Sequence, residues 1–147
     1  MFFAHGDWKI IVKNNCVLQW FSGYWNEEAA IQYSQEFSEQ TQHLKGEPWA
    51  IISFLDDWIL AVPEVELHGI DHSRQLKDDG CIKHCHVYAP SALKGIQLER
   101  MVLPTEGDYE RRVFDEISSA ISWLESCGFL IDVDAINTGA LEIERAI

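Results

Sequence analysis

Basic residues are scarce in this sequence. The 147-residue chain has 11 lysines and arginines against 24 aspartates and glutamates, which gives a formal net charge of −13 at pH 7. A surface this acidic repels the phosphate groups of nucleic acids and of anionic lipids, so we expect neither as a partner.

Long hydrophobic runs are also absent. The longest apolar stretches, from Trp49 to Leu55 and from Trp58 to Pro63, are far shorter than the roughly 20 residues that a transmembrane helix needs. The first seven residues contain neither a basic segment nor a long apolar one, so they predict no signal peptide. We therefore expect a protein that is not embedded in a membrane.

Cysteines are few, and the motifs of common catalytic sites are missing. The four cysteines, Cys16, Cys81, Cys85 and Cys127, lie in a chain long enough to form a core without disulfides, so we expect free thiols and a cytoplasmic location. The sequence contains no Gly-x-Ser-x-Gly, Cys-x-x-Cys, P-loop or dinucleotide-binding motif. It therefore predicts no catalytic residue and no cofactor.

Apolar and aromatic residues, in contrast, are plentiful. Apolar residues make up 47% of the chain, with 6 Trp, 4 Tyr and 7 Phe, which predicts a folded domain rather than disorder. Six of the aromatic residues fall on or beside two predicted strands: Trp20, Phe21, Tyr24, Trp25, Trp49 and Trp58. They belong either to the core, with part at a sheet edge, or to an exposed apolar patch or pocket that takes a partner or a hydrophobic ligand.

The first half of the chain predicts a hairpin, a helix and a buried strand. Residues 7–13 and 16–25 are rich in β-branched and aromatic residues, and Asn14-Asn15 between them is typical of a tight turn. Asn26, followed by two glutamates, predicts the start of a helix. The apolar run from Trp49 to Leu55, which shows no alternation, indicates a strand buried on both faces of a partly parallel sheet.

The second half predicts three more helices and two more strands. In order, these are a helix that Pro63 begins after an irregular stretch from Asp56, a strand over 82–89, a helix over 92–102 capped by Ser91, a strand over 111–114, and a helix capped by Asp115. The order predicts a single-domain α/β fold, in which an N-terminal antiparallel hairpin precedes parallel strands and about four helices cover the sheet. We place this domain at residues 1–130 and residues 131–147 in an acidic C-terminal tail, either an extra helix or partly disordered.

Three stretches carry a family pattern: residues 46–58 (GEPWAIISFLDDW), 86–98 (HVYAPSALKGIQL) and 111–124 (RRVFDEISSAISWL). They resemble the buried strand with its acidic end, the next strand with its helix, and the closing strand with its helix in the SpoIIAA-like group. This group shares its fold with the STAS domains of anti-sigma-factor antagonists. The resemblance spans about residues 7–127 and implies that fold more than any particular function.

One feature of the antagonists is missing from this sequence. In the family, a phosphorylatable Ser or Thr follows the acidic strand end, at the start of the next helix. Here Asp56-Asp57 is followed by Trp58, the next hydroxyl residue is Ser73, and Ser53 precedes the aspartates inside the predicted strand. We therefore expect no phospho-switch.

A segment rich in histidine and cysteine suggests a metal site as an alternative. Its six candidate ligands are His68, His72, Cys81, His84, Cys85 and His86. The first two would share one helix face. In a strand, Cys81 and Cys85 would point to one side and the remaining two histidines to the other, so one metal could take only part of the set. Otherwise these residues belong to the core and the surface.

A second candidate site lies where two predicted strands end. Its residues are Asp56, Asp57 and Trp58 after one strand, and Tyr88, Pro90 and Ser91 after the next. Strands linked by a crossover are usually neighbours, and open α/β sheets bind ligands at this edge, so these residues would line a crevice. Otherwise the aspartates simply end their strand and Ser91 caps a helix.

Together, these features predict a non-enzymatic regulatory module that binds a protein partner or a small amphipathic ligand. Self-association is one form of such binding, because exposed tryptophans would be buried in a dimer. The alternative is a small metal-dependent enzyme that uses the histidine and cysteine set.

Overall fold

The computed structural model describes residues 3–146. The strands are β1 (Asp7–Lys13), β2 (Cys16–Trp25), β3 (Trp49–Phe54), β4 (Trp58–Ala61), β5 (Cys81–Val87) and β6 (Glu110–Phe114). The helices are α1 (Glu27–Thr41), α2 (Pro63–Asp78), α3 (Ala92–Met101), α4 (Ile117–Ser126) and α5 (Val133–Ala146), and a short 3-10 turn (Gln42–Leu44) follows α1.

The sheet has the strand order β1-β2-β3-β5-β6. The β1–β2 pair is antiparallel, and β2–β3, β3–β5 and β5–β6 are parallel. The predicted α/β class, with a hairpin followed by parallel strands, is confirmed.

Local signals fix the hairpin turn and the start of the first helix. Asn14 adopts a left-handed conformation (φ 57°), which asparagine tolerates better than most residues, and Lys13 pairs with Cys16 across the turn. The side chain of Asn26 accepts a hydrogen bond from the Ala29 amide at 3.1 Å, as an N-cap residue does. The predicted turn and cap are confirmed.

The stretch predicted to be irregular after Asp57 contains a strand, β4. The long strand β2 extends beyond the end of β3, and its last residues pair in parallel with β4. The other edge of β4 is covered by Gln97 of α3, whose amide accepts from the Ala61 N–H and donates to the Ala61 carbonyl, both at 2.8 Å. This side chain replaces a neighbouring strand, which is one way of protecting a sheet edge.

The prediction that Asp115 caps the fourth helix is wrong. The residue at the N-cap of α4 is Glu116, and its side chain makes no capping hydrogen bond. The helix begins one residue later than the sequence suggests and is held instead by Ala120 and Leu124, which are buried against the sheet.

The sheet has a helical layer on each face. The α1–α3 face carries α1, α2 and α3, and its core contains Val17, Ile51 and many aromatic residues. The α4–α5 face carries α4 and α5 over a core that includes Leu18, Ile52 and Leu124.

Cys81 and Cys85 lie on opposite faces of the sheet, contrary to prediction. An irregularity between β3 and β5 sets Trp49 opposite Cys81 but Ala50 opposite Lys83. The extra residue shifts the alternation of side chains, so Cys81 joins the core under α1–α3 and Cys85 the core under α4–α5.

The acidic segment after Leu130 forms helix α5 along β1 and β2. Asp132 precedes the helix and accepts a hydrogen bond from the Ala135 amide at 2.9 Å. Ile136 is buried, and Gly139 lies directly against the Trp20 indole. None of the helices within residues 3–146 combines the length and the apolar character required to cross a membrane.

Candidate functional site

Four polar side chains point from the sheet toward α1, α2 and α3. Gln19 of β2 is in register with Ser53 of β3, which is in register with His86 of β5. Paired residues of adjacent parallel strands point to the same side, as does His84, two positions before His86. We call Gln19, Ser53, His84 and His86 the polar row, and all four are buried.

A continuous chain of hydrogen bonds runs through the polar row. Tyr33 Oη of α1 donates to Gln19 Oε1 (2.6 Å), and Gln19 Nε2 donates to Ser53 Oγ (2.8 Å). Ser53 Oγ lies 3.3 Å from His84 Nε2, and His84 Nδ1 lies 2.9 Å from Tyr109 Oη. Both ring nitrogens of His84 are therefore engaged within the protein.

His72 of α2 joins this chain at its other end. Its Nε2 lies 3.3 Å from Tyr33 Oη. The hydroxyl hydrogen of Tyr33 is already directed to Gln19, so His72 is the donor in this contact and carries its proton on Nε2. The chain thus ties α1 and α2 to the centre of the sheet.

A cavity of about 100 Å³ lies between the polar row and the three helices. Most of its wall is apolar, from Trp25, Leu55, Trp58, Ala61, Val65, Leu76, Leu98 and Met101. Ser34 of α1 and His68 of α2 also line it and are only half-buried, which places an approach to the cavity between these helices. A hydrogen-bond contact between His68 Nε2 and Glu27 Oε2 (3.1 Å) spans the same gap.

Burial keeps three of the histidines that line the cavity neutral. It lowers the pKa of His72 to about 4. Burial, with smaller effects from Arg111 and His72, lowers the pKa of His84 to about 3. The pKa of His86 also falls well below its usual range because of burial, with His84 and Arg111 adding to the effect. Near pH 7 these three imidazoles are therefore uncharged.

The structure does not bring the six candidate metal ligands together. His68 pairs with Glu27, and His72 with Tyr33. Cys85 lies on the opposite face of the sheet from His84 and His86, and the Cys81 thiol donates to the Lys83 carbonyl (3.6 Å). Within residues 3–146, no group of three His, Cys, Asp or Glu side chains could hold a metal ion.

The six residues predicted to line one crevice do not share a single cavity. Trp58 is 4% exposed and lines the inner cavity. Tyr88, Pro90 and Ser91 instead line a separate, more open pocket of about 380 Å³, together with residues of β6 and α4. β3 and β5 are neighbours, as the prediction requires. The indole of Trp58, however, points into the inner cavity and not toward the edge where these strands end.

The two aspartates that follow β3 contact β2, α3 and the residues after β5. Asp56 Oδ1 accepts from the Ala89 amide at 2.7 Å, and Lys94 Nζ donates to the Leu55 and Asp56 carbonyls at 2.9 and 3.0 Å. The Asp57 carbonyl accepts from the Gly23 amide at 2.9 Å. Ser91 accepts from the Lys94 amide and caps α3, as one of its two interpretations predicts.

Most of the clustered aromatic residues belong to the core. Trp20, Trp25, Trp49 and Trp58 are all buried, and of the set only Tyr24 is exposed. On the α1–α3 face the rings pack edge to face around Tyr33, whose centroid lies 5.1 Å from that of Phe21. Four of the six are thus core residues, and Phe21, Trp25 and Trp58 also line the cavity.

The comparison with solved structures identifies the fold. An uncharacterised protein of the DUF3478 family from Shewanella loihica PV-4, itself described as having a SpoIIAA-like fold, aligns with a TM-score of 0.62 and 9% sequence identity. The alignment covers 84% of this chain and 97% of that one.

The fold is SpoIIAA-like. The resemblance seen in the sequence is confirmed at the level of architecture, which is as far as a similarity at this identity extends. No protein-family model matches the chain, and no curated protein matches it.

Sequence motifs do not identify two members of the polar row. Gln19 and Ser53 belong to no catalytic motif, and the histidines are candidates only as metal ligands. A signal is nevertheless present, because Gln19 interrupts the apolar run from Val17 to Phe21, and Ser53 interrupts the run from Ala50 to Leu55. Polar residues inside such runs must find partners when the strand is buried.

Proposed function

We propose that this protein is a non-enzymatic regulatory module that binds a small, uncharged, amphipathic molecule in the cavity between the sheet and α1–α3. The observation that supports the proposal is the polar row facing that cavity. Burying polar groups lowers stability unless each finds a hydrogen-bond partner. Apolar residues at these positions would form a core without that requirement, so the polar row indicates a role beyond packing.

The wall of the cavity indicates the charge and size of the ligand. Among the residues that the structure describes, its lining includes no Asp, Glu, Lys or Arg. An ionised ligand would lose its hydration without gaining a counter-charge, so a neutral one is favoured. The volume of about 100 Å³ is smaller than that of an engineered cavity of about 150 Å³ that binds benzene, so it suits a molecule no larger than benzene, with at most about six non-hydrogen atoms.

The alternative, a metal-dependent enzyme, has less support. Its six proposed ligands are divided between a surface contact with Glu27, the hydrogen-bonded chain and both faces of the sheet. The serine hydroxyl nearest to a histidine in the cavity wall, that of Ser53, lies 3.3 Å from His84 Nε2, and both residues are buried within the hydrogen-bonded chain. Binding without chemistry is therefore the function we favour.

Titration with cyclopentanone, followed by ¹H–¹⁵N NMR, tests this proposal. We expect saturable shifts at amides of the lining residues, with a Kd in the millimolar range, because so small a ligand gains only about 4 kcal/mol. Ala30→Leu should abolish binding, since Ala30 is buried in the cavity wall. Ala92→Leu, at the exposed start of α3, is the matched control and should bind as the parent does.

Two results would contradict the proposal. One is the absence of saturable shifts in the parent. The other is unchanged binding by a folded Ala30→Leu variant, which would place the ligand elsewhere.

A further inference from the structure

His86 has an unusual place in the cavity wall. Its side chain is 3% exposed and lines the cavity, and its Nδ1 lies 3.0 Å from Arg111 Nε of β6. Arg111 is itself anchored, because its guanidinium lies 3.6 Å from the carboxylate of Glu99 and its amide donates to Thr105 Oγ1 at 3.1 Å.

This contact decides which ring nitrogen of His86 carries the proton. A guanidinium has N–H donors and no acceptor, and it stays protonated in proteins. Arg111 therefore donates, and His86 Nδ1 must present a lone pair. In the neutral imidazole the hydrogen then resides on Nε2, which is a donor.

The Nε2–H of His86 has no partner among residues 3–146, unlike the nitrogens of His84. Within the same residues, no fully buried side-chain nitrogen or oxygen lacks a hydrogen-bond partner. His86 Nε2 therefore retains accessible surface although its side chain is almost wholly enclosed, and the space it borders is the cavity.

We propose that His86 Nε2–H is the recognition donor of the cavity, so that the ligand carries a hydrogen-bond acceptor, a carbonyl oxygen or a ring nitrogen, on an apolar body. This inference rests on the proposed function and adds the ligand's chemical class. In this arrangement Arg111 is a positioning residue, which acts on the ligand only by fixing the proton of His86.

A matched pair of probes separates the acceptor from the apolar body. Cyclopentanone and methylenecyclopentane have nearly the same shape, but only the ketone accepts a strong hydrogen bond. We expect His86→Phe to weaken cyclopentanone binding about tenfold, the equivalent of one hydrogen bond, and to leave methylenecyclopentane binding within about twofold of the parent.

A spectroscopic measurement on the unmodified protein does not depend on any variant folding. Long-range ¹H–¹⁵N correlation of the imidazole should show a protonated Nε2 and an unprotonated Nδ1 for His86. Arg111→Met should let both tautomers form and should weaken ketone binding by about two- to threefold, while hydrocarbon binding is unchanged.

The outcomes distinguish the two proposals. If neither probe binds the parent, the cavity is not a binding site, and both proposals fail. If both probes bind but His86→Phe reduces neither, the cavity binds ligands without using His86, and only the present inference is overturned. A proton on Nδ1 of His86 in the parent would overturn it as well.

Discussion

The two faces of this sheet are built from alternating residues of the same strands, yet they differ in polarity. Toward α4 and α5, strands β2, β3 and β5 direct a cluster of apolar core residues: Cys16, Leu18, Trp20, Ala50, Ile52, Phe54, Cys85 and Val87. Lys83 of β5 also faces α4, but it is half-buried, with its ammonium 5.6 Å from the ring centroid of Trp123 and paired with Glu110. Toward α1–α3, the intervening positions include the polar row and a cavity. One face thus has an apolar core, and the other combines an apolar wall with a hydrogen-bonded chain.

The difference shows which residues the fold requires. The α4–α5 face shows that the positions next to the polar row in these strands pack as an apolar cluster. A polar group buried without a partner costs about 1–3 kcal/mol, so each residue of the polar row is stable only because the next one pairs with it. Such a network on one face alone is the kind of local departure from packing rules that marks functional sites.

The largest effect on stability is expected from placing a polar residue in the apolar core of the α4–α5 face. Ile52, fully buried next to Ser53 in β3, faces α4 and α5. Ile52→Ser should lower the free energy of unfolding by about 4 kcal/mol, because it removes packed methyl groups and buries a hydroxyl without a partner. Urea denaturation followed by tryptophan fluorescence measures this loss. A loss below about 2 kcal/mol would mean that this face is not tightly packed.

The second-largest effect on stability is expected from a steric clash beneath α5. A Cβ at Gly139 would overlap the indole of Trp20, so Gly139→Ala should destabilise the protein by about 1–3 kcal/mol. Gly95→Ala in α3 is the matched control, because its Cβ would meet Tyr88 Oη at an ordinary 3.5 Å. Alanine favours a helix, so the control should raise stability by up to about 1 kcal/mol. Thermal unfolding of both variants measures the two effects, and changes of the same sign would contradict this account of α5 packing.

Most of the fold could be predicted because its signals are local. The Asn14 turn, the Asn26 and Ser91 caps and Pro63 at the start of α2 each act through neighbouring residues, and the structure confirms all of them. Strand β4 could not be predicted in this way. It exists because β2 extends past β3, which depends on the pairing of distant segments.

The candidate site depends still more on distant pairing. Register between three strands brings Gln19, Ser53 and His86 into one row, and no sequence spacing encodes it. The position of Trp58 shows the same limit, since its pairing in β4 turns the indole into the cavity. The sequence shows polar residues within apolar runs, but it does not show that these residues lie side by side in the folded sheet.

Removing the centre of the polar row tests whether its pairing matters for stability. Ser53→Ala leaves Gln19 Nε2 without its acceptor and His84 Nε2 without its neighbour. We expect a loss of about 1–2 kcal/mol in chemical denaturation, smaller than that of Ile52→Ser. Ser38→Ala on the exposed side of α1 is the control and should stay within about 0.5 kcal/mol. A neutral Ser53→Ala would show that the chain of hydrogen bonds adds nothing to the folded state.

The smallest expected effect concerns pH and should arise from the α1–α3 face alone. Burial lowers the pKa of His72 from 6.5 to about 4 in the folded protein. Between these values the unfolded chain binds a proton that the folded chain does not, so stability falls as the pH falls through this window. The His72→Gln variant keeps a hydrogen-bond donor for Tyr33. Between pH 6 and pH 5, its free energy of unfolding should therefore fall by about 1 kcal/mol less than that of the parent. His43→Gln, on the exposed turn after α1, controls for the loss of an imidazole. Urea denaturation at the two pH values measures the difference, and an identical loss in His72→Gln and the parent would show that His72 is not neutral and buried in solution.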